Sequence, residues 1–377
     1  MQRTGSIKSV TSDRTAPGKL PDLGIRAGAD NLLTQCIRLS RGERLLIITE
    51  PADASDYDPQ VSDALARHAE ELGAEAQILE ARLASGPDDI PDEVLNGMQH
   101  AEHTLFLSRL GDQIRFSPAH GAGTKTVAYI RDLDYLGSLF GCTPFALFQA
   151  VRDRLLEIIQ SASSYRISSS AGTELVGHVN RTNPRATITE FAVTCFPMVI
   201  YPPLNCYNLT GTLVLERFLM STSVHDYESS VLLLDEPVKL HIDNSVIVGF
   251  SGARDLVGQV EAHYHRVAEH FGGDPMAVHS WHTGIYPATY HSGHWQHHTA
   301  SWGEITFASP RYTHFHTCGD DPGNIATATF DATIEFDDEL MWEAGVPVFL
   351  DRPEMKALLH ERDLGDEVYA LRRDIGL

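Results

Sequence analysis

Between His263 and His316 the chain carries 11 of its 19 histidines in 54 residues, where an even spread would put about three. Imidazole at that density points to metal binding or proton transfer. The sharpest pattern lies in Arg311-Tyr312-Thr313-His314-Phe315-His316-Thr317-Cys318. On a strand, positions i and i+2 share a face, so His314 and His316 aim at one point while Phe315 packs behind them. Two adjacent neutral imidazoles suit a first-row divalent ion. The plain alternative is two hydrogen-bonded histidines on a solvated strand face. The same alternation puts Cys318 with the pair, and we read it as wall rather than ligand.

A third ligand must come from elsewhere, and His279, His282, His291, His294, His297 and His298 are all candidates. The last four sit in His291-Ser292-Gly293-His294-Trp295-Gln296-His297-His298, a loop suited to a pocket edge with one histidine as proton carrier. His263, His265 and His270 fall on a helix and are expected on its polar face. Glu261-Ala262-His263-Tyr264-His265 is not the HExxH of zincins. No GxSxG elbow, Walker A loop or clean GxGxxG is present. Gly121-Ala122-Gly123-Thr124-Lys125-Thr126 has the wrong spacing for a phosphate loop and is expected to be a turn. Asp320-Asp321 lies near the histidine pair and offers a carboxylate behind a ligand, although such pairs are commonly solvated turns.

These residues need a scaffold. The chain has 377 residues, 42% hydrophobic and 21% charged, enough for two domains with their own cores. Residues 1–22 read as a flexible arm. From 23 to about 160, strands at 45–49, 76–79, 104–108 and 127–130 alternate with helices at 29–38, from 61, from 91 and from 144. Such alternation predicts an α/β domain on a parallel sheet. From 161 to 377, short β-like segments at 166–170, 187–193, 211–216, 237–242 and 245–250, broken by a helix at 252–271, predict a mixed, β-rich α+β domain. That second domain holds the histidines. A net charge of −22 argues against nucleic acid. No apolar run reaches transmembrane or signal-peptide length, so no membrane is expected. Cys36, Cys142, Cys195, Cys206 and Cys318 form no CxxC pair and are expected as free thiols of a cytoplasmic protein.

The order of motifs resembles the aminopeptidase T and S family. Arg41-Gly42-Glu43-Arg44-Leu45-Leu46-Ile47-Ile48 is similar to its opening strand and Gly172-Thr173-Glu174-Leu175 to its GT[DE]L turn. Gly211-Thr212-Leu213-Val214, Glu236-Pro237-Val238 and the block from His282 to His316 follow in order. The resemblance spans most of residues 25–340 as a chain of weak motifs, and it implies a two-domain fold with metal in the C-terminal half. Two departures matter. The Gly-Glu before the peptidases' metal-bound turn is replaced by Trp281-His282, and their closing His-x-Asp by His314-Phe315-His316. Without those carboxylates a two-metal centre is hard to build.

Within this superfamily the chain more closely resembles the 2,5-dihydroxypyridine 5,6-dioxygenase-like enzymes, which hold one Fe(II). That resemblance implies His282 as third ligand and places His316 where those enzymes have an aspartate. It implies ring cleavage of a hydroxylated aromatic or pyridine acid by O₂ at Fe(II). The deprotonating base is then expected in His294 or His120, and the partner of a substrate carboxylate in Arg109 or Arg115. Tyr201, Asn205 and Tyr207 fall where the peptidase relatives build their cleft, which implies a lining role. The rivals are a single-zinc peptidase or amide hydrolase, and a metal-binding protein without catalysis. An acidic two-domain enzyme of this size is often a homo-oligomer.

Overall fold

The structure is a computed structural model that describes residues 24–117, 121, 123–180, 191–197, 200–360 and 369–377. Helix α1 (Ile25–Asp30) runs directly into a π-helical turn over Asn31–Cys36. Asn31 is buried, and its amide donates to the carbonyls of Gly141 at 2.8 Å and Thr143 at 2.7 Å. Its Oδ1 accepts from the backbone N–H of Phe145 at 2.9 Å. One side chain thus ties the first helical segment to the start of a helix more than a hundred residues later.

The alternation expected from the sequence follows. Strand β1 (Arg44–Thr49) leads to α2 (Pro59–Glu71), which opens with Asp58 accepting from the Gln60 N–H and buries Val61, Leu65 and Ala69. Next come β2 (Glu75–Glu80), α3 (Asp92–His100), β3 (His103–Leu107), α4 (Leu110–Gln113) and β4 (Thr124–Ala128). Short helices α5 (Leu133–Gly137) and α6 (Leu139–Cys142) precede α7 (Phe145–Ser161), whose Phe148, Val151, Leu155 and Ile159 are buried. β1 pairs in parallel with β2 and β3, and β3 with β4. β1 and β3 are apolar on both faces because helices cover both sides, as parallel sheets require.

The chain then starts a second sheet with β5 (Ser164–Ser168) and β6 (Glu174–His178) before returning to the first. Strand β7 (Thr194–Phe196) pairs in parallel with β4 as the fifth strand of that sheet, order β2-β1-β3-β4-β7. Of the strand expected at 187–193, residues 187–190 lie outside the described residues and 191–193 precede β7 without strand pairing. The second sheet continues with β8 (Leu204–Asn205), β9 (Tyr207–Leu215), β10 (Phe218–Ser221), β11 (Leu232–Leu233), β12 (Val238–Asp243) and β13 (Val246–Ser251). Helix α8 (Arg254–Phe271), β14 (Asp274–Thr283), α9 (Thr299–Thr306), β15 (Tyr312–Gly319) and β16 (Ile325–Phe330) follow. The sheet ends with β17 (Thr333–Phe336) and β18 (Glu339–Trp342), ahead of α10 (Pro353–His360).

All pairings in this sheet are antiparallel, in the order β11-β10-β16-β15-β14-β13-β12-β9-β6-β5-β17-β18, with β8 on β14. The architecture is therefore α/β, a five-stranded parallel sheet with helices followed by a 13-stranded antiparallel sheet. β15 and β16 are buried along their whole length, because α8 covers one face and α9 the other. Tyr264 of α8 shares a hydrogen bond with Thr317 at 3.0 Å, and Trp302 of α9 packs edge-on against Tyr312. All five cysteines are free thiols. Among the described residues no helix is long and apolar enough to cross a membrane.

Replacing Asn31 with Ala leaves two carbonyls and one N–H without their buried partner. We expect chemical denaturation of the metal-free protein to show a loss of roughly 2–4 kcal/mol. Metal content per folded chain should not change, since Asn31 is remote from the histidines.

Candidate metal centre

The centre is built by two neighbouring antiparallel strands. In the β14–β15 register His282 stands opposite His314 and Ser280 opposite His316. Alternation then puts His282, His314 and His316 on one face. The other face is aromatic: Trp281 lies 6.3 Å from Phe315 and 6.2 Å from Phe336, ring centre to ring centre. That contrast fixes which way the strands face. His279 has the parity of Trp281 rather than of His282, and its Nε2–H donates to the Gly319 carbonyl at 2.8 Å, off the cluster.

Ligand atoms of His282, His314 and His316 all lie within 4.8 Å of one another, and all three residues are buried. The Nε2 atoms of His282 and His314 are 2.6 Å apart. His282 Nδ1–H donates to the Tyr201 carbonyl at 3.3 Å, which leaves its Nε2 lone pair facing the cluster. His316 Nδ1 shares a 3.3 Å hydrogen bond with the Ser280 hydroxyl. Burial pushes all three imidazoles down, His282 to about 3, with the nearby Arg115 guanidinium acting in the same direction. They are therefore neutral at neutral pH. Two inward lone pairs at such a separation repel unless a proton or cation lies between them. One ion bound tetrahedrally at about 2.1 Å would set its donors about 3.4 Å apart, so the His282 and His314 nitrogens would part by somewhat under about 1 Å to admit it. Three neutral nitrogens with no thiolate or carboxylate fit a single first-row divalent ion.

His314 and His316 open onto a narrow cavity of about 30 Å³. Asp112, Arg115, Thr222 and Glu304 also line it. Arg115 is buried and paired with Asp112 at 3.0 Å, while its Nε has no hydrogen-bond partner among the described residues. Phe116, Phe191 and Phe307 surround the guanidinium at 5.0 to 5.8 Å. Tyr129 donates to the same Asp112 oxygen. On the opposite wall Arg131 donates to Glu304 and lies 4.1 Å over the ring of Tyr57.

Not every candidate from the sequence converges here. Arg115 lines the cavity; Arg109 instead pairs with Glu50 and the Ala54 carbonyl, away from it. Tyr201 is fully buried, its hydroxyl accepts from the Thr283 N–H at 3.1 Å, and its ring stands edge-on to His282. Asn205 pairs through its backbone with Ser280 and is not among the residues that line the cavity. Tyr207 is 47% exposed opposite His178 at the start of β9 and lines no part of the cavity. His294 is exposed, accepts from the Gln296 N–H and lies off the cavity wall, as do His297 and His298. His291 is held by Gly293 of its own loop. His120 lies outside the described residues.

Three further expectations meet the coordinates. Cys318 leaves the histidine face because its φ of 67° breaks the alternation, and its thiol donates to the Tyr264 carbonyl of α8. Asp320 and Asp321 form an exposed turn. His263 is buried beside Arg266 rather than on the polar face of α8, and burial holds it at about 4. Asp112 and Glu304 were not singled out from the sequence. A signal exists for Glu304, an acid flanked by Trp302 and Ile305 on a helix with little polar surface; Asp112 offers none.

Changing His282, His314 or His316 to Ala should reduce bound metal from about one ion per chain to nearly none, as loss of one of three ligands requires. His279→Ala and His294→Ala should keep it. Metal analysis of the purified variants checks both sets.

No family model matches the chain, and no curated protein matches its sequence. Among solved structures, 2,5-dihydroxypyridine dioxygenase from Pseudomonas putida KT2440 aligns over 85% of this chain and 96% of that one, with 14% identity and a TM-score of 0.56. The chain therefore has the fold of that dioxygenase, with a buried three-histidine cluster able to hold a metal ion.

Proposed function

We propose that the protein is a mononuclear non-heme Fe(II) dioxygenase that opens the ring of a hydroxylated aromatic or pyridine acid with O₂. The observation that carries this reading is the convergence of three neutral imidazoles, two of which, His314 and His316, line a cavity. The fold shared with a dihydroxypyridine dioxygenase supports it. Bound at the three nitrogens, Fe(II) would keep open positions for a substrate oxygen and O₂, and would supply the electrons that activate O₂.

The chain's own residues do the rest. Tyr201 and Ser280 hold two of the imidazoles in the orientation that aims lone pairs inward. Arg115, with an unpartnered Nε, offers a fixed cation to a substrate carboxylate in a dry setting where it is worth more than in water. Three neutral ligands leave the ion's charge uncompensated, which further favours an anionic substrate. Phe307, Met220 and Tyr312 supply apolar wall for a flat ring.

A single zinc ion activating water for amide cleavage would use the same three ligands. Anaerobic reconstitution with Fe(II) or Zn(II), followed by a screen of hydroxylated benzoic and pyridine carboxylic acids, separates the two. We expect O₂ uptake with iron alone. Amide cleavage by the zinc form, with no O₂ uptake by the iron form, would sink the dioxygenase reading. Arg115→Lys keeps the charge but loses the planar fork, and should raise KM for the carboxylate substrate by about tenfold with a smaller change in kcat.

A further inference from the structure

The two carboxylates on the cavity wall are not equivalent. Asp112 accepts from both Tyr129 and Arg115, and so serves to hold the guanidinium in place. Glu304 takes a single donor, Arg131, on Oε2. Its Oε1 has no hydrogen-bond partner among the described residues, and the residue is only 8% exposed. A Cβ at Gly303 would stand 2.5 Å from the Met220 Cε, so α9 lies close against β10. The carboxylate therefore reaches the same cavity as His314 and His316.

We propose that Glu304 is the general base that takes the proton from the substrate hydroxyl as it enters the cavity. The inference rests on the reading of the site as one for a hydroxylated aromatic acid. The substrate O–H bond breaks, its electron pair stays on the oxygen, and the proton passes to Glu304 Oε1. The groups facing Glu304 are Arg131 after β4, Asp112 of α4, Asp56 and Arg109 on neighbouring loops, and Tyr57 across the Arg131 guanidinium. Burial raises the carboxyl to about 7, with Asp112 and Asp56 adding to the rise and Arg131 opposing it. A base with that affinity is matched to proton transfer near neutral pH. Arg131 keeps the second oxygen engaged, which leaves Oε1 as the open end.

The test is proton release when catechol binds the Fe(II)-loaded protein without O₂, by calorimetry in buffers of different ionisation enthalpy at about pH 8. The wild type should retain the hydroxyl proton on Glu304, because the catecholate oxygen left beside it raises the carboxyl above pH 8. Glu304→Gln should release about one more proton per bound catechol, and its kcat/KM for the acid found by O₂ uptake should fall a hundredfold or more. Glu304→Asp should recover part of the loss and keep an acidic limb in the pH profile. Equal proton release by wild type and Glu304→Gln would overturn the proposal, as would an extra proton released by Asp112→Asn instead. If Glu304→Gln does not fold, the paired change Glu304→Gln with Arg131→Gln removes both charges and gives the same readout. Proton retention in a protein that consumes no O₂ with any acid tested would uphold the base and reject the dioxygenase.

Discussion

A slip of one residue between β14 and β15 would turn every side chain to the opposite face and scatter the histidines. The registry that sets His282 against His314, with His316 opposite Ser280, is thus the constraint on which the centre depends. It is held from behind by Trp281, Phe315 and Phe336, which can only pack if they face away from the cavity. β8 adds a strand on the far side through Ser280 and Trp281, so β14 is tied on both edges where the ligand arises.

Burial converts that geometry into chemistry. With water excluded, the imidazoles stay neutral and offer lone pairs, and the guanidinium of Arg115 reinforces this rather than competing for the same site. The cavity wall carries two ion pairs, Arg115 with Asp112 within the α4 region and Glu304 with Arg131 from outside the lining. Arg131–Glu304 spans from the segment after β4 to α9, so both sheets contribute to the surroundings of one cavity. A buried pair of this kind contributes little net stability, and its retention fits a role in function.

Much of this was readable from the sequence, and the failures have physical causes. The parallel α/β half followed from helical and strand periodicity, and His314 with His316 from the two-residue repeat of a strand. His282 could not be chosen by spacing, since partnership between β14 and β15 is a long-range fact; only a resemblance pointed to it. Cys318 was misplaced because strict alternation cannot foresee a residue at φ 67°. Arg109 and Arg115 looked alike as charges after β3, but α4 turns one towards Glu50 and the other into the cavity. His294 looked like a base because imidazole titrates near neutrality. Burial can bring a carboxylate into the same range, and its one local sign is an acid set among Trp302, Gly303 and Ile305.

X-ray absorption at the iron edge of the Fe(II)-loaded protein tests the central claim most directly. The account predicts one iron per chain with imidazole scattering from three histidines at about 2.1 Å and the remaining positions filled by oxygen atoms. A thiolate contribution, fewer than three imidazoles, or a second metal at about 3.5–4 Å would contradict it.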